Sequence, residues 1–257
     1  MKSLNISSLT FAFPGDNSPI LKELDMKLDP GTITAVIGNN GTGKTTLMRA
    51  ILGILEIQDG DIFWEETVNN TRTPLKTSNI AFLPQNEYIN PDLLVDEVIL
   101  MGRLPFVGAF AEPNMEDLKK TEEAIHRLSL KRFATKKIGT LSGGERQRVR
   151  LARSIAQEAE LILLDEPLTH LDVISKNQII NLILSLRSEG KTIIFSTHNP
   201  LEALKIADYA VLISNDHASE FGAVERILTS EKVSQCLKVK IRFGLDNGQY
   251  YQVVEDF

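Results

Sequence analysis

The chain contains 257 residues, of which 42% are hydrophobic and 24% are charged. This composition is typical of a folded globular protein and excludes a disordered or fibrous chain. Its 34 acidic and 28 basic residues give a formal net charge of −6, which argues against general nucleic-acid binding because phosphate contacts need positive charge. The single cysteine, Cys236, excludes an internal disulfide and a cysteine metal cluster, as expected in a reducing cytosol.

Short apolar runs alternate with helical patterns along the chain. Ile33–Ile37 is rich in β-forming residues and ends at a glycine, which predicts a buried strand. A helical pattern follows from Thr45 to about Leu52. Strands that alternate with helices indicate an α/β fold with a largely parallel sheet. The other runs that predict strands are Asp61–Trp64, Ile80–Leu83, Leu161–Leu164 and Thr192–Ser196.

The segment between residues 86 and 160 differs from the rest, because its pattern is mostly helical. We therefore predict that residues 1–85 and 161–230 form the α/β core and that residues 86–160 form a helical subdomain inserted into it. Residues 231–257 are predicted to form a C-terminal β-hairpin, because an Asn-Gly turn signal lies between two strand-like runs. The helices predicted in the insertion are Val95–Met101, Met115–Leu128 and Ser142–Gln157.

The sequence contains no candidate for a membrane span. The longest apolar stretch, Leu93–Phe110, is interrupted by charged residues and a proline, whereas a span needs roughly 18 apolar residues. The first residues of the chain also lack the cationic flank and apolar region of a signal peptide. We therefore expect that a partner holds this chain if it works at a membrane.

Residues 38–45, GNNGTGKT, match the phosphate-binding loop of nucleoside triphosphatases, with a predicted strand before the loop and a predicted helix after it. The glycines let backbone N–H groups and the helix N-terminus approach phosphate oxygens. Lys44 is expected to reach the β- and γ-phosphates, and the Thr45 hydroxyl is expected to bind Mg²⁺. A glycine-rich turn with a purely structural role is the alternative. The residues predicted to bind the nucleotide here are Gly38, Asn39, Asn40, Gly41, Thr42, Gly43, Lys44, Thr45 and Thr46.

Residues 161–166, LILLDE, place two carboxylates at the end of a predicted buried strand, where α/β sheets place their ligands. Asp165 is predicted to hold Mg²⁺, directly or through water. Glu166 is predicted to be the general base that deprotonates the attacking water. A strand that ends in an acidic turn without a catalytic role is the alternative, and the phosphate-binding loop in the same chain argues against it.

Residues 141–145, LSGGE, precede a long helical pattern, and Ser142 is predicted to cap that helix. With the following QRVRLARSIA and LILLDEP, this stretch is similar to the signature of the ATP-binding cassette (ABC) ATPases, and the chain resembles that family from about Ser3 to Ile227. The resemblance implies a P-loop core with an inserted helical subdomain and an N-terminal antiparallel β region. It also implies a head-to-tail dimer around two ATP molecules. The residues that would cover the γ-phosphate bound by the other copy are Ser142, Gly143 and Gly144.

Three further landmarks occur in the order that the family has. Gln85 matches the Q-loop glutamine, which contacts Mg²⁺ and joins the core to the helical subdomain. His198 matches the switch histidine, which hydrogen-bonds the γ-phosphate in relatives. Leu171-Asp172 matches the D-loop, although Leu168 stands where relatives usually have threonine. The resemblance implies that the catalytic residues are Gln85, Glu166 and His198 and that the metal ligands are Thr45, Gln85 and Asp165.

Relatives stack the adenine on an aromatic side chain upstream of the phosphate-binding loop. Phe13 is followed closely by Gly15, as is usual in the family, so we assign this role to Phe13. Phe11 stays open as the alternative, and either ring is also compatible with a core position in a strand. Phenylalanine suffices for the role because stacking needs only the face of a ring.

Residues 98–106, VILMGRLPF, resemble the LGR-x-P-H stretch of importer ATPases that serve iron-siderophore, haem and cobalamin permeases, although Phe106 replaces the histidine. This resemblance implies an importer of metal chelates. Termination of a helix by Gly102 and Pro105 explains the same residues in purely structural terms. The alternatives are a zinc or manganese importer ATPase and an ABC ATPase that acts in translation or DNA repair without a permease.

The importer resemblance also implies partners and a location. The expected partners are a second ATPase subunit, a transmembrane permease and, indirectly, a substrate-binding protein, with no nucleic acid. The chain would lie peripherally at the cytoplasmic face of the membrane. We expect the region from Gln85 to Phe106 to help form the surface that meets the permease, with Arg103 as one of its contact residues.

Overall fold

The computed structural model describes residues 2–15, 18–66, 71–107, 111–214, 216 and 218–255. In chain order, the strands are β1 (Lys2–Phe11), β2 (Leu21–Leu28), β3 (Ile33–Ile37), β4 (Asp59–Glu66), β5 (Arg72–Pro74), β6 (Ile80–Leu83), β7 (Leu161–Leu164), β8 (Thr192–Thr197), β9 (Tyr209–Ile213), β10 (Ser219–Ala223), β11 (Lys240–Asp246) and β12 (Gln249–Glu255). The α-helices are α1 (Lys44–Ile51), α2 (Val95–Leu100), α3 (Met115–Arg127), α4 (Gly143–Ala156), α5 (Val173–Ser188), α6 (Pro200–Ile206), α7 (Val224–Ile227) and α8 (Ser230–Leu237). Short 3₁₀ helices occupy Thr77–Asn79, Met101–Arg103, Lys131–Phe133 and Ile138–Thr140.

The chain forms two compact units. The first consists of Met1–Leu75 together with Ile183–Phe257, and the second consists of Lys76–Leu182. The second unit contains all of the range 86–160 in which the sequence predicts helices, and it also contains β6 and β7.

The first unit contains parallel strands around β3. β3 pairs in parallel with β8 on one side and with β9 on the other, and β10 pairs antiparallel with β9. All residues of β3 and β8 are buried, which explains why neither strand alternates between apolar and polar residues in the sequence. Because parallel strands end at the same edge, Ile37 of β3 lies opposite Thr197 of β8, and the chain leaves both strands side by side.

The first unit also contains an antiparallel sheet with the strand order β2-β1-β4-β5. β2 buries Leu24, Met26 and Leu28 at alternate positions, as a strand with one covered face does. In the neighbouring strands, Leu4 of β1 lies opposite Trp64 of β4, and both side chains are buried. The predicted fold class, an α/β protein with an N-terminal antiparallel region, is thereby confirmed.

The C-terminal segment of the first unit folds as α8 followed by a hairpin of β11 and β12. At its turn, Asn247 and Gly248 have φ values of 47° and 76°, the left-handed values that a type I′ turn requires. The strands run as far as Asp246 and begin again at Gln249, so they are longer than the apolar runs in the sequence.

The second unit combines two strands with a group of helices. β6 pairs in parallel with β7, and Leu83 lies opposite Leu164 at the ends of the two strands. α2, α3 and α4 pack against one another, and α4 buries Val149, Ala152 and Ala156 at helical spacing. In the part of the chain that the structure describes, no helix is long and apolar enough to cross a membrane.

Candidate functional site

The glycine-rich loop of the first unit connects β3 to α1. It begins directly after Ile37 and ends where α1 starts at Lys44. Gly38 cannot carry a side chain, because a Cβ atom there would lie 2.5 Å from the carbonyl oxygen of Ile213 and 2.5 Å from Oγ1 of Thr42. Gly43 has a φ of 111°, which L-residues rarely adopt. The backbone of the loop therefore requires glycine at both positions.

Lys44 turns back over this loop. Its Nζ donates hydrogen bonds to the carbonyl oxygens of Gly38 (2.9 Å) and Asn39 (3.0 Å), and the residue is only 5% exposed. The hydroxyl of Thr42 donates to the same Asn39 carbonyl at 3.0 Å. The loop thus presents a lysine ammonium and a helix N-terminus together, a set of donors that suits phosphate oxygens. Of the other residues predicted to bind the nucleotide, Asn40 and Gly41 are exposed, Thr45 is half-buried and Thr46 is buried.

The loop is also attached to the C-terminal helix, which the sequence did not indicate. Asn39 Nδ2 donates to the carbonyl oxygen of Leu237 at the end of α8 (3.3 Å). Next to it, the thiol of Cys236 is buried and lies 3.3 Å from the carbonyl oxygen of Ile213. Burial, together with the nearby Asp216, raises the pKa of this thiol to about 11. Burial and the contact with the Ile213 carbonyl both favour the protonated thiol of Cys236.

His198 lies at the same edge of the parallel strands as the glycine-rich loop. It follows Thr197, which pairs with the last residue of β3, and its side chain is exposed. Hydrogen bonds fix the turn on both sides of it. Thr197 Oγ1 donates to Glu202 Oε2 at 2.6 Å, and the Asn199 N–H donates to Thr197 Oγ1 at 3.0 Å. The first unit therefore brings together the predicted nucleotide-binding loop and the predicted switch histidine.

The two candidate adenine-stacking rings differ in environment. Phe11 is the last residue of β1 and is 4% exposed, whereas Phe13 lies beyond the strand and is 39% exposed. The rings meet edge to face, with centroids 5.0 Å apart and an interplanar angle of 86°. Phe11 is thus a core residue that supports Phe13, and Phe13 is the ring with an available face.

In the second unit, the ends of β6 and β7 bring Gln85 next to Glu166. The Asp165 N–H donates to the carbonyl oxygen of Leu83 at 2.8 Å, which keeps the two strand ends together. Gln85 Nε2 then donates to Glu166 Oε2 at 3.0 Å. A second donor, Thr169 Oγ1, reaches the same carboxylate oxygen at 3.2 Å. Thr169 was not predicted at this site, because its only feature in the sequence is that it lies just before the D-loop residues Leu171-Asp172.

The carboxylates at this site are buried, and one of them lies on an unusual backbone. Asp165 is 2% exposed and Glu166 is 8% exposed. Glu166 has a φ of 50°, in the left-handed region. A non-glycine residue in this region typically costs about 1 kcal/mol or more, and it persists only where the surroundings hold it. The metal-ligand candidates Gln85 and Asp165 belong to this unit, whereas Thr45 belongs to the first.

The glycine pair of the signature stretch begins α4. Ser142 is the N-cap and forms a capping box with Glu145, whose carboxylate accepts from the Ser142 hydroxyl at 2.8 Å and from the Ser142 N–H at 2.9 Å. These hydrogen bonds lower the pKa of Glu145. Ser142 and Gly143 are exposed, and a Cβ atom at Gly143 would meet open space. The turn therefore presents an open helix N-terminus, the end of a helix that attracts anions.

A groove of about 300 Å³ lies beside this turn in the second unit. Tyr88 is the most exposed aromatic residue on its rim, with 88% of its surface accessible. The other lining residues include Glu87, Ile89, Pro91, Ile138 and Arg146.

The expectation that Arg103 contacts a partner is wrong. Arg103 is only 6% exposed, and its Nε donates to Asp117 Oδ1 at 2.9 Å. Its Nη1 donates to the carbonyl oxygen of Ala156 at 2.8 Å, and its guanidinium lies 4.3 Å from the centroid of the Phe106 ring. The contact was expected because Arg103 lies in the stretch that resembles importer ATPases, whereas here a buried carboxylate on α3 compensates its charge.

Residues 21–169 match the ABC transporter family. The chelated iron transport system membrane protein YfeB of Yersinia pestis is 35% identical over 232 residues, which cover 90% of the chain and 77% of that protein. The manganese transport system ATP-binding protein MntB of Halalkalibacterium halodurans is 36% identical over 218 residues, which cover 84% of each protein. Among solved structures, a metal-chelate type ABC transporter in an inward-facing conformation is similar with a TM-score of 0.87 and 30% identity, covering 99% of the chain and 97% of that structure's chain.

Proposed function

The chain belongs to the ABC transporter family and is an importer ATPase that uses ATP and Mg²⁺, and from this premise we propose the roles of its residues, its partners and its cargo. The observation that carries the proposal is the hydrogen bond of 3.0 Å between Gln85 and Glu166. Gln85 is the residue expected at the metal, and Glu166 is a buried carboxylate that follows β7. The bond places the glutamine beside the carboxylate that we propose as the hydrolytic base.

The glycine-rich loop holds the phosphates of ATP. Lys44 donates to the β- and γ-phosphates, and the backbone N–H groups from Gly38 to Thr46 surround them. When bound, Mg²⁺ would supply positive charge against the phosphate oxygens. Thr45, Gln85 and Asp165 provide hydroxyl, amide and carboxylate oxygens, the ligand types that this ion prefers. Phe13 stacks on the adenine, because its ring face is accessible and the ring of Phe11 supports it.

Glu166 acts as the general base. It accepts a proton from the water that attacks the γ-phosphate, a role that typically contributes roughly 10²- to 10⁴-fold in rate. Gln85 and Thr169 both donate to Oε2, so the orientation of the carboxylate is fixed before the water arrives. His198, at the end of β8, donates to the γ-phosphate and stabilises the charge that develops there.

Two copies of the chain form a head-to-tail dimer around two ATP molecules. The turn from Ser142 to Gly144 is the part of each copy that contacts the γ-phosphate held by the other. Its exposure, its small side chains and its place at the N-terminus of α4 all suit close contact with an anion.

A transmembrane permease binds at the groove beside Tyr88 and holds the chain peripherally at the cytoplasmic face of the membrane. An accessible tyrosine beside a groove suits a protein contact, because tyrosine is enriched among the few residues that dominate binding energy at such surfaces. A short helix of the permease is the segment that fits a groove of this kind. This assignment keeps the contact within the expected region from Gln85 to Phe106, with Tyr88 in place of Arg103 as a contact residue.

The proposed cargo is a metal chelate, iron-siderophore, haem or cobalamin, that a substrate-binding protein delivers to the permease. The likeness to a metal-chelate type transporter over 99% of the chain and to a chelated-iron system supports this assignment. Uptake of manganese or zinc is the second candidate, and the 36% identity to a manganese system favours it.

Uptake measurements in cells that lack this chain test the proposal. We expect wild-type protein to restore uptake of radiolabelled iron chelate but not of radiolabelled Mn²⁺. Lys44→Ala should fail because ATP is not held, and Tyr88→Glu should fail because the permease is not bound. Ile54→Glu is the control, because Ile54 is an exposed apolar residue outside the groove, and it should restore uptake. Restoration of Mn²⁺ uptake alone would favour the second candidate, and full uptake with Lys44→Ala would refute the ATPase assignment.

A further inference from the structure

α4 carries two polar side chains on one face that reach the main chain on either side of the proposed catalytic pair. Gln147 Nε2 donates to the carbonyl oxygen of Pro167 at 3.1 Å, and Pro167 directly follows Glu166. Arg150, one turn further along α4, donates from Nη2 to the carbonyl oxygen of Pro84, which directly precedes Gln85. Each anchored carbonyl is therefore one residue away from a proposed catalytic side chain.

The two anchors are joined to each other. Arg150 Nη1 donates to Gln147 Oε1 at 2.9 Å, so the amide of Gln147 is oriented while its Nε2 holds Pro167. The hydrogen bond from Gln85 to Glu166 connects the two anchored segments to each other, so that the four hydrogen bonds form a continuous network. Both anchored residues are prolines, which have no N–H, so the carbonyl is the only backbone group through which a hydrogen bond can hold them.

The surroundings favour strong anchoring by Arg150. Its side chain is 14% exposed and its Nε lies 3.6 Å from Glu87 Oε2. Hydrogen bonds from a charged donor are stronger than neutral ones, and more so where water is largely excluded. The left-handed backbone of Glu166 also needs support from its neighbours, and the Gln147 bond holds the next peptide unit.

We propose that Gln147 and Arg150 are positioning residues that set the geometry of the Gln85–Glu166 pair, so that the placement of α4 controls the general base of the same chain. This inference rests on the proposed roles of Gln85 and Glu166. The N-terminal end of α4 carries Ser142 as its N-cap and Gly144 in its first turn. Contact between this end of the helix and the ATP of the other copy would therefore also act, through one rigid helix, on the base of its own chain.

The variants Gln147→Leu and Arg150→Met test this inference in the purified protein. Each removes an anchor, and a shift of about 1 Å in catalytic geometry can cost about 10²-fold in rate. We expect kcat to fall at least tenfold in each variant, while KM for ATP stays within twofold and Tm stays near that of the wild type. Arg150→Lys keeps one charged donor and should recover part of the loss, and it replaces Arg150→Met if that variant does not fold.

The matched control is Arg153→Met. Arg153 lies on the same helix and is similarly half-buried, but it pairs with the Glu87 carboxylate at 2.7 and 2.8 Å rather than with a carbonyl beside the catalytic pair. We expect its kcat to stay within twofold of the wild type. If kcat fell equally in Arg153→Met, the inference would be overturned. The loss would then come from any weakened contact with α4 and not from the two carbonyls beside the catalytic pair.

A double-mutant cycle separates positioning from a merely structural role. When Glu166→Gln has already removed the base, adding Arg150→Met or Gln147→Leu should cause no further loss of the residual kcat. A further loss by the same factor as in the wild-type background would overturn the inference, as would wild-type kcat in both single variants. Wild-type turnover in Glu166→Gln alone would instead refute the proposed general base, and that result does not depend on either anchor.

Discussion

Phe11 is buried and Phe13 is exposed, so replacement by alanine should lower stability at Phe11 and weaken ATP binding at Phe13. Phe13→Ala removes a stacking face worth about 1 kcal/mol, so KM for ATP should rise several-fold while Tm is unchanged. Phe11→Ala leaves a cavity in the core beneath β1, and such truncations cost about 3 kcal/mol or more in the free energy of unfolding. Steady-state kinetics and thermal unfolding of both variants check this. A raised KM in Phe11→Ala with a normal KM in Phe13→Ala would show that the rings were assigned in the wrong order.

The buried ion pair between Arg103 and Asp117 holds the helices of the second unit together. Arg103 follows α2, Asp117 lies in the first turn of α3, and the Ala156 carbonyl that accepts from Arg103 ends α4. The hydrogen bond from Arg103, followed by that from the Asn114 N–H, lowers the pKa of Asp117. One guanidinium thus links the three helices.

The Arg103–Asp117 pair should make the folded protein less stable as the pH becomes acidic. Because the pKa of Asp117 is lower in the folded state, its stabilisation is fully present above the unfolded pKa and is lost as pH falls through the folded pKa. Asp117→Asn should therefore lower Tm by several degrees at neutral pH. The difference in Tm between the variant and the wild type should become smaller below about pH 4. Asp92→Asn is the control, because Asp92 pairs with Lys137 on the surface at 75% exposure and should change Tm little. A gap that is the same at acidic and neutral pH would contradict this account of the pair.

Elements whose signals are local could be predicted from the sequence. β3 and β6 have the predicted bounds because each is a compact apolar run that ends at a glycine or a proline. The start of α4 at Ser142 was predicted because N-capping depends on a few adjacent residues. The conformation of the loop between β3 and α1 is local in the same sense, because its backbone requires glycine at Gly38 and Gly43.

Contacts that depend on packing between distant segments could not be predicted. Arg103 was expected on the surface, because nothing near it in the sequence indicates that Asp117 lies against it. Gln147 and Arg150 are ordinary polar residues of a helix until the ends of β6 and β7 bring the carbonyls of Pro84 and Pro167 within reach. Such residues can be assigned only once the fold is known.

In the assembly that we propose, hydrolysis and dimerisation both depend on one shared site. In the proposed dimer, the loop of one copy would hold ATP, and the turn at Ser142 of the other copy would cover its γ-phosphate. If the base is removed while binding is kept, ATP should stay between the copies and hold them together. Glu166→Gln has this property, because glutamine keeps the size and most hydrogen bonds of the carboxylate but cannot accept the proton.

Size-exclusion chromatography of Glu166→Gln with ATP and Mg²⁺ tests whether two copies share each ATP and whether Glu166 is the base. We expect a dimer with ATP and a monomer with ADP, together with a loss of hydrolysis of roughly 10²- to 10⁴-fold. Adding Ser142→Arg should disperse the dimer, because a large side chain cannot fit against the γ-phosphate. A protein that stays monomeric at high concentration with saturating ATP, or that hydrolyses ATP at the wild-type rate, would contradict the account.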